Sequence, residues 1–444
     1  MALAGFVTIV LVLAAILSKK LSPLIAMVAI PVGAALLLGF GGQTNEFIVS
    51  GLVAIAPIAV MFIFAILFFG IMNDAKVFDP IVNSILRIVG TDPRKILPGT
   101  AILTAIVHLD GSGASTFLIA IPALKPLYEK LNIDLKLLAC TAAMSAGVCN
   151  LLPWGGPTIR AASALNIPVL ELYRPLIAVQ ASGFLFVLVT AYYLGKRAYR
   201  KQTLNLSAPA NNNVCESKEA ENNVVNDNMT KNTNTEFNKP QYFAANITLT
   251  LLVIGLMITG VLQPVVAFMC GVVAALLINY REIDSQAMCI NNHAKTAISM
   301  AVILFAAGVF SGILKHSGML AAMAQTGAEA MPSALSAQLP ALIGFIAMPL
   351  SLLFDPDSFY FGILPVLAGI AAENNLPQAA VAQAALMGQM TTGFAVSPLT
   401  PATFLLVGLT GINLADHQRF TIPLLLITSW VMTLTAIVLG VFKA

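Results

Sequence analysis

The run Ile106-Val-His-Leu-Asp-Gly-Ser-Gly113, IVHLDGSG, puts an acid and two glycines in the middle of hydrophobic sequence. A second such run, Leu352–Ser358 or LLFDPDS, places Asp355 at a distance of 245 residues from Asp110. The surroundings make both acids unusual. Of 444 residues, 58% are hydrophobic and 10% charged, against about 25% charged in a soluble domain. Apolar runs of about 20 residues, the length a helix needs to cross a bilayer, recur from end to end. The chain therefore reads as an all-α polytopic membrane protein. A carboxylate at that depth is costly and marks a functional site.

Composition excludes several classes. The net charge of +3 comes without a basic stripe, so no nucleic-acid partner is expected and the lipid bilayer is the surrounding phase. Residues 1–18 lack a basic leader, and Lys19 and Lys20 follow the apolar run, which suits an uncleaved first span. Five cysteines show no metal-ligand spacing; four lie in or beside spans and read as small apolar filler. There is no HExxH, GxSxG or phosphate loop, so an enzyme is not expected. The remote alternatives are a channel, or an intramembrane hydrolase using Asp110 and Asp355 as an acid pair.

Run length places the spans and loop Lys/Arg their sides. Crossings are expected at 3–18, 22–41, 49–72, 135–166 and 173–195, then at 242–262, 264–280, 297–314, 378–412 and 420–442. Between them, 97–128 and 338–372 are too interrupted to cross once. Each reads as a re-entrant helical hairpin, with tips at 110–116 (DGSGAST) and 354–358 (FDPDS). Such backbone survives at membrane depth only where protein or a wet cavity satisfies it. Two crossings should also unwind, at 150–158 (NLLPWGGPT) and 391–403, because proline lacks a donor and glycine weakens a helix. Residues 203–241 are Asn-, Thr- and Glu-rich, cannot build a core, and read as a disordered cytoplasmic linker between 1–202 and 242–444. Both termini are then outside.

The halves match in register. An offset of 245 carries Asp110 onto Asp355, Pro153 onto Pro398, Thr158 onto Thr403, Leu131 onto Leu376 and Ile167 onto Ile412. Five crossings per half invert the second copy. Inverted repeats with paired interrupted helices point to a transporter's midplane site.

Broken helices offer amide donors for an anion and carbonyls for a cation. On the cation side stand Asp110, Asp355 and Asp357 with Ser112, Thr116, Ser358, Thr391 and Thr392, which suit a hard metal or, through a protonated acid, proton carriage. Asp110 and Asp355 are the first candidates for a metal. Each could equally cap the helix after its tip. On the anion side stand Arg160, Asn150, Gly155, Gly156, Thr158, Ser397, Thr400 and Thr403. Arg160 can hold a carboxylate bidentately or snorkel to the interface. His108 reads as a tip hydrogen bond or a proton relay. His293, His316 and His417 fall in expected loops without an argued role.

GTAILTAIVHLDGSGASTF, NLLPWGGPTIRAASAL, LFDPDSFYFGILP and GQMTTGFAVSPLTPATFLLVGL resemble the bacterial citrate–divalent metal:proton symporters, the CitMHS family, over nearly the whole chain except the linker. The resemblance implies uptake of citrate complexed with Mg²⁺ or Ca²⁺ and driven by protons, with no permanently bound cofactor and a place in the bacterial inner membrane. It also implies the ion transporter superfamily fold, a scaffold plus an elevator-like moving domain carrying the hairpins, in a homodimer. The chain departs from the family pattern at Ser112, where a second tip acid is frequent. The alternative is a proton- or sodium-coupled symporter of gluconate, lactate or a C4-dicarboxylate.

Overall fold

A computed structural model of the chain describes residues 1–442 apart from 19, 78–79, 81–83, 86, 89–91, 208–241, 331, 333–334 and 336–337. Among the described residues every regular element is helical. The first half runs α1 (Ala2–Leu17), α2 (Pro23–Leu37), α3 (Thr44–Asp74), α4 (Pro93–Val107), α5 (Gly113–Lys130), α6 (Leu135–Cys149), α7 (Gly156–Leu165), α8 (Val169–Tyr173) and α9 (Ile177–Ser207). The second runs α10 (Phe243–Thr259), α11 (Pro264–Asn279), α12 (Ile283–His316), α13 (Met319–Ala330), α14 (Leu339–Leu350), α15 (Leu364–Glu373), α16 (Gln378–Ala385), α17 (Pro401–Thr410) and α18 (Leu414–Val438).

Four helical segments are long and apolar enough to cross a bilayer unaided: α3, Val169–Arg200, α12 and α18. The expected crossings α1, α2, α10 and α11 are 15–17 residues, about 23–26 Å at 1.5 Å per residue, against a hydrocarbon core of about 30 Å. α10 stops at Gly260, whose φ of 79° is left-handed and open to glycine without penalty. Two further expectations are corrected. α12 begins fourteen residues before 297, and α13 was not anticipated; its buried Met319 and Met323 hold it down. α9 continues to Ser207, past the expected boundary at 202; the linker beyond it, 208–241, lies outside the described residues.

The helices form two contacting groups. α2 and α3 pack with α11 and α12, α10 rests on α11, α4–α9 pack with α14–α18, and α13 bridges the groups between α1 and α15. α3 and α12 make the most extensive pairing in the first group. Glycine permits it: a Cβ on Gly308 would stand 2.9 Å from the Gly51 carbonyl, and one on Gly51 or Gly312 would strike opposing backbone. Without a hydrophobic drive between membrane helices, such close backbone approach supplies the attraction. Large apolar residues such as Leu37, Val53, Leu251 and Leu277 remain exposed, as a lipid-facing surface requires.

The order of elements recurs between halves. Shifted by 245, α7 coincides with α17, and the left-handed residues that end them, Asn166 and Gly411, coincide too. The offset is not constant, however. Asn132 and Asn375, both at positive φ, close the hairpins 243 residues apart. The amides after them return to Tyr128 and Ala371. Leu376 therefore matches Ile133, not Leu131. The second hairpin is two residues shorter, and the second broken segment two residues longer.

Candidate functional site

The first hairpin starts at Asp92, which caps α4 by accepting from the Arg94 amide at 2.9 Å. The Arg94 side chain bonded to it holds the Asp92 carboxyl below the usual carboxylate range. The turn is tighter than 110–116. One 3₁₀ turn, His108–Asp110, is followed by Gly111 at φ 71°, and α5 has begun by Gly113, so 113–116 are helical. Ser112 is the cap that starts it, accepting from Ser115 N at 3.4 Å. Asp110 accepts from Ser112 N at 2.9 Å and from the Ser115 hydroxyl.

The second tip repeats this chemistry. Asp355 accepts from the amides of Asp357 and Ser358, each at 3.0 Å, and from the Ser358 hydroxyl at 2.5 Å. The break covers 351–355; Pro356 and Asp357 are already helical and Ser358 opens a π turn, Ser358–Ile363, so the expected tip 354–358 runs into the second arm. Both acids thus serve first as caps of their own tips. Asp110, Asp355 and Asp357 do not gather as a three-acid cluster.

The helix breaks are displaced from their expected bounds. The first occupies 150–155, because Gly156 and Pro157 already start α7. The second occupies 386–400, starting five residues early and ending at Thr400, the cap of α17. They touch across the repeat. Asn150 Nδ2 donates to the Met390 carbonyl at 2.7 Å, and Gly147 meets the backbone of Thr391 and Thr392 so closely that a Cβ would not fit. Met390 takes a left-handed φ of 54° to turn its carbonyl this way. Asn150 Oδ1 lies 3.4 Å from His108 Nε2. On the other side of the ring, the Thr116 hydroxyl, whose proton goes to the Ser112 carbonyl at 2.6 Å, lies 2.8 Å from Nδ1. A Thr116–His108–Asn150–Met390 chain thereby ties the first tip to both breaks.

Most expected site hydroxyls are turned inward. Thr158 donates to Leu151 O, Thr391 to Leu386 O, Thr392 to Met387 O, Ser397 to Ser351 O, and Thr400 and Thr403 to Phe394 O. They satisfy the carbonyls that unwinding exposes, as buried backbone requires. Gly155 lacks room for a side chain against Asn150 and Leu152 carbonyls. Residues not singled out complete the frame. Trp154 donates to Leu109 O at 2.7 Å and stacks on Phe69 of α3 at 5.3 Å. Gln389 donates to Phe354 O, and its own carbonyl accepts from Tyr360 at 2.7 Å. Trp154 lay within the quoted break and could have been weighed as its anchor; Gln389 carries no local signal.

Arg160 does not snorkel. Its side chain is about a tenth exposed, and Nε donates to Asp357 Oδ1 at 2.7 Å, with Asp357 equally buried. Nη1 reaches the carbonyl of Gly156 at 3.3 Å. A small cavity beside it is lined by Gly156 and Ile159 of α7, Phe62 of α3, and Met300, Ile303 and Leu304 of α12. Arg160 therefore stands where the two helix groups meet, paired with the second tip. His417 is helical and buried, 3.0 Å from the Ala395 carbonyl, and His316 closes α12, stacked on Phe47. Neither is a loop residue.

A family model described as a citrate transporter matches residues 9–393. A protein of Bacillus subtilis (strain 168) named "Citrate transporter" is 36% identical over 100% of both chains. Another from that strain, named "Mg(2+)/citrate complex secondary transporter", is 38% identical over 99% of this chain and 98% of its own. In fold, the chain resembles the crystal structure of the YdaH transporter of Alcanivorax borkumensis. The TM-score is 0.58 at 16% identity, covering 89% of this chain and 86% of that one.

Proposed function

Because the chain belongs to the citrate transporter family, a family of transporters and not of enzymes, we propose that it takes up citrate as a complex with Mg²⁺ or Ca²⁺, in symport with protons. The observation that carries this is the buried Arg160–Asp357 pair. Pulling such a pair apart leaves two uncompensated charges, at about 3–5 kcal/mol for a lone buried partner. A metal–citrate complex compensates both at once. Its carboxylate takes over the Arg160 guanidinium, and its cation is met by the Asp357 carboxylate. The amide end of α7 adds its positive dipole on the anion side.

Asp110 and Asp355, together with Ser112, Thr116, Ser358, Thr391 and Thr392, are the proposed coupling positions. Asn150, Gly155, Gly156, Thr158, Ser397, Thr400 and Thr403 shape the anion side. The two halves are proposed as inverted repeats, supported by the recurring element order, and the second helix group as the part that moves, elevator-like, in a homodimer. We place the protein in the bacterial inner membrane with both termini outside and 203–241 in the cytoplasm.

Proteoliposome uptake of labelled citrate tests the proposal, with and without Mg²⁺ or Ca²⁺ and under proton or sodium gradients. Divalent-dependent uptake driven by a proton gradient is expected. Uptake indifferent to added metal sinks the complex as substrate; uptake of gluconate, lactate or a C4-dicarboxylate in place of citrate sinks the substrate class.

A further inference from the structure

We propose that Asp74, Cys289 and His293 form a transition-metal site of the zinc class that clamps the end of α3 to α12. Their ligand atoms all lie within 4.8 Å of one another. Asp74 Oδ2 is 2.8 Å from His293 Nε2 and 3.8 Å from Cys289 Sγ. Bond lengths of about 2.0–2.3 Å put the ligands of a tetrahedral zinc about 3.3–3.8 Å apart, so small side-chain movements accommodate the ion.

The two helices contribute in a regular way. Cys289 and His293 are four residues apart on one face of α12, and Gly70 and Asp74 are four apart on α3. A Cβ on Gly70 would fall 2.6 Å from His293 Nδ1, so glycine is what admits the imidazole between the helices. Cys289 is 3% exposed, while the His293 and Asp74 side chains are 21% and 34% exposed. The thiol is thus inside and the other two ligands face an entry path, leaving a fourth position for water.

The donor set separates this site from the cargo. Thiolate and imidazole select zinc and its neighbours, whereas Mg²⁺ and Ca²⁺ require oxygen ligands. It is also displaced from the Arg160 cavity. Phe62 and Asp74 are about 18 Å apart along α3, and His293 and Leu304 about 16 Å apart along α12. On binding, the Cys289 thiol gives its proton to solvent, the Nε2–H that His293 directs at Asp74 leaves for solvent or for Nδ1, and the thiolate and the freed Nε2 join the metal. None of this depends on citrate being the substrate.

The full-length protein in detergent, stripped of metal, is titrated with Co²⁺ as the optical probe. The expected result is one Co²⁺ per chain, with d–d bands and a thiolate-to-cobalt charge-transfer band. Zn²⁺ removes them; excess Mg²⁺ or Ca²⁺ does not. Cys289→Ser abolishes the charge-transfer band, and His293→Gln weakens Co²⁺ binding by about tenfold or more, at least the loss seen on removing an outer-shell partner. A chain in which Cys140, Cys149, Cys215 and Cys270 are all serine keeps the band. Its absence in the unmutated protein, or its persistence in Cys289→Ser, overturns the site; the first needs no variant to fold.

Discussion

Arg160 and Asp357 are each other's buried partner, and their charges are the most consequential single features of the site. Lysine at 160 keeps the charge but loses the planar fork that binds carboxylates. A hydrogen bond to a charged group is worth about 1.5–3 kcal/mol. Arg160→Lys should therefore raise the apparent KM for citrate by about 10- to 150-fold, read in uptake kinetics; an unchanged KM would reduce Arg160 to a structural tie. The tip acids make a different prediction. Asp110 and Asp355 already cap their tips through backbone amides, and asparagine can replace a carboxylate as a cap. If they only cap, Asp110→Asn and Asp355→Asn will fold and transport normally. The coupling role requires instead that both fold and lose proton-driven uptake, while citrate exchange at equal pH persists.

At the scale of elements, close approach at glycine decides which helices pair. Leucine at Gly51 or Gly308 would collide with backbone of the opposing helix, and such overpacking costs about 1–3 kcal/mol or more. Gly33 on α2 has nothing within 4 Å. Thermal unfolding followed by size-exclusion chromatography should therefore show Gly51→Leu and Gly308→Leu melting well below the parent protein, and Gly33→Leu melting with it. Equal melting of all three would remove the glycine crossing as a cause of stability. The hairpins and breaks obey a related rule. Their ends fall at the cap residues Ser112, Gly155 and Thr400, rather than where the polar stretch stops. That is why the expected tip 110–116 and breaks 150–158 and 391–403 run into the first turns of α5, α7 and α17.

On the scale of the whole molecule, the small cavity at Arg160 is walled by both helix groups, so relative motion of the groups must pass through it. In a background without cysteine, Ile159→Cys combined with Leu304→Cys should bridge with Hg²⁺ and stop citrate uptake, with recovery on adding free thiol. Full uptake by the bridged protein would mean that these walls stay together and would end the elevator reading. Part of this layout is legible along the chain: turns at Asp110 and Asp355 and helix breaks around Pro153 and Pro398. Membrane class and the positions of the helix breaks follow from composition and local order because helix length, apolar runs and breakers act over a few turns. Partnership does not. Arg160 and Asp357 are 197 residues apart, and Asp74 and His293 are 219 apart, so nothing near either residue announces the other. Cys289 and His293 read as filler and loop until α3 and α12 cross. Only folding decided which charge meets which, because buried groups are satisfied by whatever the packed helices bring within reach.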